Sequence, residues 1–215
     1  MIENSVYRSI LQAPKYIAAG ALRGEVGAST CRARDAKTKI LYAKHLLKED
    51  RNELNRNIIL KEIEQNASKW IKILFKYLKE IGITITDVQT LTKPQIIKKI
   101  KNWDTENWRK EVSEKSTLRL YFSEKKSVKE EKWIDNTEGT KLLIRGRTNS
   151  LPLGWRKRFT NGVTQCPSCS CEVETLEHFL LECPEYLNIR SQTVFLQEIS
   201  GNSEEEKLKK HFSIN

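Results

Sequence analysis

No run of apolar residues in the 215-residue chain approaches the ~18 needed to cross a bilayer, so no membrane-spanning helix is expected. The opening stretch MIENSVYRSILQAPKYIAAG lacks the apolar core of a secretory signal, which points to an intracellular protein, nuclear or cytoplasmic. Internal repeats and low-complexity tracts are missing too, which sets aside solenoid and linker-like architectures. No Gly-rich phosphate loop and no Ser/His/Asp set is apparent, so neither type of active site is indicated.

What the chain does carry is charge. Charged residues make up 31% and the net charge is +10, unevenly placed. Residues 1–90 hold 16 Lys/Arg against 10 Asp/Glu, and residues 91–160 hold 18 against 9. From residue 163 onward the balance reverses, to 4 against 9. A basic body followed by an acidic end favours a polyanionic partner, nucleic acid before membrane; a solvated helical surface is the plainer alternative.

The apolar pattern is mostly helical. Trp70, Leu74, Tyr77, Leu78 and Ile81 share one face while Lys69, Lys72, Lys76 and Lys79 share another, and Gly82 stands where such a helix would stop. Ser29 is placed to cap a helix through Ile40, Leu41, Ala43, Leu46 and Leu47. The β-branched run ITITDVQTL, ending at Leu91, reads as a short strand or extended linker and as a boundary in the chain. Thr92 and Pro94 start a helix through Ile96, Ile97, Ile100 and Trp103, with further helices near 105–126 and 138–147. The expected fold is mainly α, a helical bundle-like body with a small C-terminal zinc knuckle. Its regions are an N-terminal helical region (1–90), a basic helical region with an Arg-rich loop (91–160), the knuckle (161–190) and a helical tail (191–215).

Four of the five cysteines fall between 166 and 183. In a reducing compartment clustered cysteines are ligands more often than disulfides. Cys166 and Cys169 bracket a tight turn, Thr175 caps a helix, and His178 and Cys183 lie on it, the latter just before Pro184. Cys166, Cys169, His178 and Cys183 therefore offer three thiolates and an imidazole, a complete tetrahedral set for structural Zn²⁺ with no position left for water. Two points stay open. Cys171 offers an alternative to Cys169, and His178 and Cys183, five apart, do not stack on an ideal helix.

These residues resemble a known family. CPSCSCEVETLEHFLLECPEYLNIR (166–190) is similar to the Cys-Cys-His-Cys zinc module near the C-terminus of non-LTR retrotransposon polyproteins, downstream of their reverse transcriptase. LLIRGRTNSLPLGWRKR (142–158) resembles the segment preceding that module, and WRKEVSEKSTLRLYF (108–122) its helical approach. APKYIAAGALRGEVG (13–27) resembles the segment after the polymerase thumb. The resemblance assigns metal ligation to Cys166, Cys169, His178 and Cys183, implies the rest of a reverse transcriptase polyprotein as a partner, and is least specific at 30–90.

The aromatic-x-Asp-Asp polymerase motif of that family is missing, so its two-metal site has no counterpart here. A nuclease beyond the zinc module is not expected either, since NSEEEKLKKHF reads as a terminal helix capped by Ser203. The chain is thus expected to bind rather than catalyse. Arg145, Arg147, Arg156, Lys157 and Arg158 are the candidate phosphate contacts and Trp155 a candidate stacking residue. Pairing of these cations with Glu172, Glu174 and Glu177, or anchoring of Trp155 in the core, are the alternatives at the level of residues. At the level of function, the alternative is a zinc-containing protein-interaction module that does not bind nucleic acid.

Overall fold

The computed structural model describes residues 2–48, 53–65, 68–132, 134–135 and 137–192. Among these the chain is helical, with no strand and one isolated antiparallel bridge between Val26 and Glu130. The mainly α expectation holds in this sense. None of the helices is long and apolar enough to cross a membrane. The tail helix expected around Ser203 lies outside the described residues.

The chain divides into two compact units, one formed by residues up to Ala28 together with those from Arg109 onward, the other by Ser29–Trp108. The boundary expected near residue 90 falls inside the second unit. In the first unit, α1 (Ile2–Leu11) and α2 (Ala19–Glu25) come from the N-terminus. The second unit holds α3 (Cys31–Leu46), α4 (Glu53–Gln65), α5 (Lys69–Ile81), α6 (Ile85–Thr90) and the start of α7 (Lys93–Ser113). The first unit resumes with α8 (Arg119–Glu124), α9 (Glu138–Arg147), α10 (Gly154–Lys157) and α11 (Leu187–Gln192).

The core of the second unit is built on a small-residue face of α3. Ala33, Ala36, Ile40 and Ala43 recur at three- and four-residue spacing and are all buried, which lets Ile71, Leu74 and Leu78 of α5, Val88 of α6 and Ile96 and Ile100 of α7 come in closely. The four lysines of α5 are exposed, as their spacing predicts. Gly82 ends α5 at φ 72°, its N–H reaching the Leu78 and Lys79 carbonyls. The cap of α3 is Thr30, one residue beyond the expected Ser29; its hydroxyl accepts from the Ala33 N–H at 3.0 Å and donates to Asp104 at 2.7 Å.

The run ITITDVQTL is a helix, not a strand or linker. Thr84 accepts from the Asp87 N–H at 3.1 Å, and the Asp87 carboxylate accepts from the Thr84 N–H at 2.7 Å, a reciprocal capping box. Thr92 and Gln95 repeat the device at the start of α7. Two local hydrogen bonds at each helix start outweigh the strand preference of the isoleucines and threonines.

In the first unit α1 packs against α2 and α9. Glycine is required at position 27: φ is 66°, and a Cβ there would sit 2.3 Å from the Glu130 nitrogen. That approach leaves Glu131 donating to the Glu25 carbonyl at 3.1 Å.

Replacing Thr84 by Ala removes one half of the box and is expected to lower the unfolding free energy by about 1 kcal/mol. Thr84→Ser keeps the acceptor and should leave it nearly unchanged. Urea titration followed by helicity checks both.

Candidate metal centre and its basic loop

The Cys/His cluster begins with a tight loop. Cys166 N–H donates to the Cys171 carbonyl at 2.9 Å and Ser170 N–H to the Cys166 carbonyl at 3.0 Å, with Ser170 in the left-handed region at φ 60°. This curl turns the Cys166 and Cys169 sulfurs the same way. Cys171 supplies its carbonyl to close the curl, and its side chain is exposed. Thr175 then caps a helical turn from Leu176, accepting from the His178 N–H at 3.0 Å.

The five-residue spacing of His178 and Cys183 is solved by a π turn over His178–Glu182, in which Cys183 N–H donates to the His178 carbonyl at 2.8 Å. On an α-helix residues five apart are rotated by about 140° from one another. The wider π turn stacks them and points both side chains at the loop. Cys183 then leaves the turn into Pro184.

The sulfurs of Cys166, Cys169 and Cys183 and a ring nitrogen of His178 lie within 4.8 Å of one another. Cys166 Sγ is 3.9 Å from Cys183 Sγ, and Cys169 Sγ is 3.2 Å from His178 Nε2. The other ring nitrogen, Nδ1, is 3.7 Å from a Glu182 carboxylate oxygen, beyond hydrogen-bond distance. Cys166, Cys183 and His178 are buried. No disulfide joins any of the five cysteines.

The thiols do not share one acidity. Shielding of the Cys166 sulfur from water opposes its ionisation, but donation from the backbone of Cys169 and Ser168 and from His178 outweighs this and lowers its pKa to about 6. The Cys171 N–H favours the Cys169 thiolate, yet desolvation and the sulfurs of Cys166 and Cys183 together raise its pKa to about 11. Ionisation of one sulfur thus opposes ionisation of its neighbour. The closeness of the four donor atoms is what allows these residues to hold a metal ion.

Two arms of the knuckle grip the segment before it through Glu174. Its N–H donates to the Thr164 carbonyl at 2.9 Å, its carbonyl accepts from the Trp155 N–H at 3.1 Å, and its buried carboxylate accepts from the Gly154 N–H at 2.7 Å. The grip demands glycine at 154, where a Cβ would sit 2.1 Å from the Thr164 oxygen. Leu151, Leu153, Trp155 and Leu176 form the buried core behind it. A second ring contact, Phe179 on Tyr186 at 5.3 Å, and a Ser168–Tyr186 hydroxyl pair at 2.7 Å hold the knuckle turn to the segment after the site.

The residues expected to meet nucleic acid separate into two groups. Arg147 is buried, 3.8 Å from the Glu25 carboxylate, with its guanidinium over the Tyr121 ring at 5.7 Å. Burial pushes the Glu25 carboxyl up in pKa, and Arg147 and then Lys125 oppose that. Arg147 thus serves the interior of the first unit. Trp155 is 8% exposed and anchors the loop rather than offering a face. Arg145 and Arg156 are half-buried, whereas Lys157 and Arg158 are exposed and pair with no carboxylate among the described residues. The exposed aromatic is Phe159, 67% accessible, which sequence reasoning passed over because a tryptophan stood among the cations. Its signal was the Asn161-Gly162 pair after it. Asn161 at φ 53° and the Gly162 N–H to the Lys157 carbonyl at 2.9 Å close a turn that pushes residues 157–160 outward.

No protein-family model matches the chain, and neither a curated protein nor a solved structure matches it.

Metal per chain, measured by elemental analysis after chelator-free purification, should fall on Cys169→Ser and stay unchanged on Cys171→Ser. Arg147→Ala removes the stronger of the two cations that favour the buried Glu25 carboxylate, leaving Lys125, and should cost about 3 kcal/mol in denaturant unfolding. Lys157→Ala should leave stability within about 0.5 kcal/mol, because the residue is exposed and its ammonium pairs with no carboxylate among the described residues.

Proposed function

We propose that the chain is a zinc-stabilised nucleic-acid-binding module of the kind that follows the polymerase in non-LTR retrotransposon proteins, acting by binding and carrying no catalytic centre of its own. The observation that carries the reading is the Glu174 grip. It ties the metal-ligand cluster to a loop whose Lys157 and Arg158 project into solvent with no carboxylate partner among the described residues.

Zinc is favoured by the donors and their spacing. Three thiolates and one imidazole are a soft, closed set suited to a structural site. For an ion about 2.3 Å from sulfur at the centre of a tetrahedron, the sulfurs stand about 3.8 Å apart. The Cys166–Cys183 separation of 3.9 Å fits that edge. The ion would hold the knuckle's two arms and make no contact with substrate.

Nucleic acid is favoured by where the charge lies. With three thiolates bound, a divalent ion leaves the knuckle itself negative, and Glu172, Glu182 and Glu185 add to this on its exposed surface. Phosphates would therefore meet the loop and not the knuckle. Removal of Lys157 and Arg158 subtracts two phosphate contacts from such an interface. The resemblance of residues 142–190 to the retrotransposon module supports the same reading.

The test is zinc content together with salt-dependent binding. One zinc per chain is expected, lost in Cys183→Ser along with helicity. Fluorescence anisotropy with labelled RNA and DNA oligonucleotides should give log K falling with log salt, and Lys157→Ala/Arg158→Ala should flatten that slope by roughly 1–2. Binding that is absent, or indifferent to salt and to both substitutions, would overturn the reading in favour of a protein-docking module.

A further inference from the structure

Five side chains of the first unit form an alternating column of rings and guanidinium groups. Arg156 lies over the Tyr16 ring at 4.0 Å and near the Trp155 ring at 5.3 Å. Arg158 lies 5.2 Å from the Trp155 ring and 4.8 Å from the Phe159 ring. Trp155 and Phe159 meet edge to face, with centroids 6.1 Å apart and planes at 77°.

The column is fixed in its middle and open at its ends. Trp155 is buried, and its indole N–H finds no acceptor among the described residues, so it is held by its faces and not by its edge. Arg156 donates to the Asn149 carbonyl at 3.3 Å, and the Tyr16 hydroxyl donates to the Ser150 carbonyl at 3.1 Å, which pins that rung at both polar tips. The terminal rings, Tyr16 and Phe159, are 53% and 67% exposed. A surface meant only for the phosphates of a duplex needs cations and has no use for an exposed, pre-oriented ring.

We infer that the Arg158–Phe159 end of this column is a stacking site for an unpaired nucleobase, so that the loop takes single-stranded rather than duplex nucleic acid. The inference rests on the nucleic-acid reading above and narrows it. An unpaired base offers a free π face to the Phe159 ring, while the guanidinium of Arg158 and the ammonium of Lys157 take the flanking phosphates. A base inside a duplex has both faces covered by its neighbours and reaches neither. Because Arg158 is already seated against two rings, the site is ordered before its ligand arrives.

Titration of the zinc-loaded full chain with a labelled single strand, the matching duplex, and a single strand with abasic positions separates the possibilities. The expected result is single-strand binding at least ten-fold tighter than duplex binding. Phe159→Ala and Phe159→Leu should both weaken the single strand about ten-fold, and Phe159→Trp should restore it, with the salt slope unchanged in all three. Abasic strands should bind the wild-type chain as weakly as intact strands bind Phe159→Ala. Salt-dependent binding that ignores Phe159 and treats abasic, single and double strands alike would overturn the stacking site and leave the nucleic-acid reading standing. Loss of all binding in the wild-type chain would overturn both. Phe159 is exposed but leans edge to face on the buried Trp155, so the thermal unfolding of each variant is measured alongside binding, and a loss of single-strand affinity counts for stacking where unfolding is unchanged.

Discussion

The C-terminal half of the first unit hangs on one glutamate. Glu174 uses its amide, its carbonyl and its carboxylate on three different groups, Thr164, Trp155 and Gly154, and the carboxylate bond is shielded from water. A carboxylate accepting from a backbone N–H in that setting is worth more than a neutral bond, and removing it would leave the Gly154 amide near the core without an acceptor, while the Trp155 N–H keeps the Glu174 backbone carbonyl. Since Glu174 lies between the two halves of the metal-ligand set, whatever fixes Cys166 and Cys169 against His178 and Cys183 also fixes the register of this grip. The position of the basic loop therefore depends on the metal-ligand cluster as well as on the loop's own Gly154 and Asn161-Gly162 turn.

The ligand set and the grip divide the work. Two of the four ligands come from a curl closed by backbone bonds, and two from a π turn that is less favourable than an α turn of the same length. The Cys166 curl, the His178 turn and the Glu174 arm are each only a few residues long. None has enough apolar area to persist alone, and the shared core of Leu151, Leu153, Trp155 and Leu176 is small. A metal ion held by the four donors at their meeting point would supply what the core lacks.

How far the structure could be foreseen depended on whether a residue's role was set locally. The α5 helix was legible in full, because Ser68, the apolar spacing and Gly82 all act within one element. The same local logic lay in Thr84 and Asp87, but the β-branched residues between them masked the capping box, and α6 was read as extended. The four clustered donors were legible from spacing; the π turn that joins two of them was not, since spacing shows a mismatch without its remedy. The roles of the cations were least legible. Arg147 and Arg158 are eleven residues apart in one basic stretch, yet one is buried on Glu25 and the other stands in solvent, a difference made by a carboxylate 122 positions away from Arg147. Trp155 follows the alternative of anchoring in the core, and Phe159, for which the sequence suggested no part, is the exposed ring of the loop, because tertiary packing decides which ring faces inward.

The interrupted composition of the first unit orders its assembly in time. Helices α1 and α2 leave the ribosome before the whole of Ser29–Trp108, and α9, against which α1 packs, follows later still. At about 5–20 residues per second the delay is on the order of 10 s. During it Glu25 has no Arg147, and an ionised carboxylate without its cation resists being drawn into an apolar cluster. The acid that later lies in the interior is therefore costly to bury until Lys125 and then Arg147 have been synthesised.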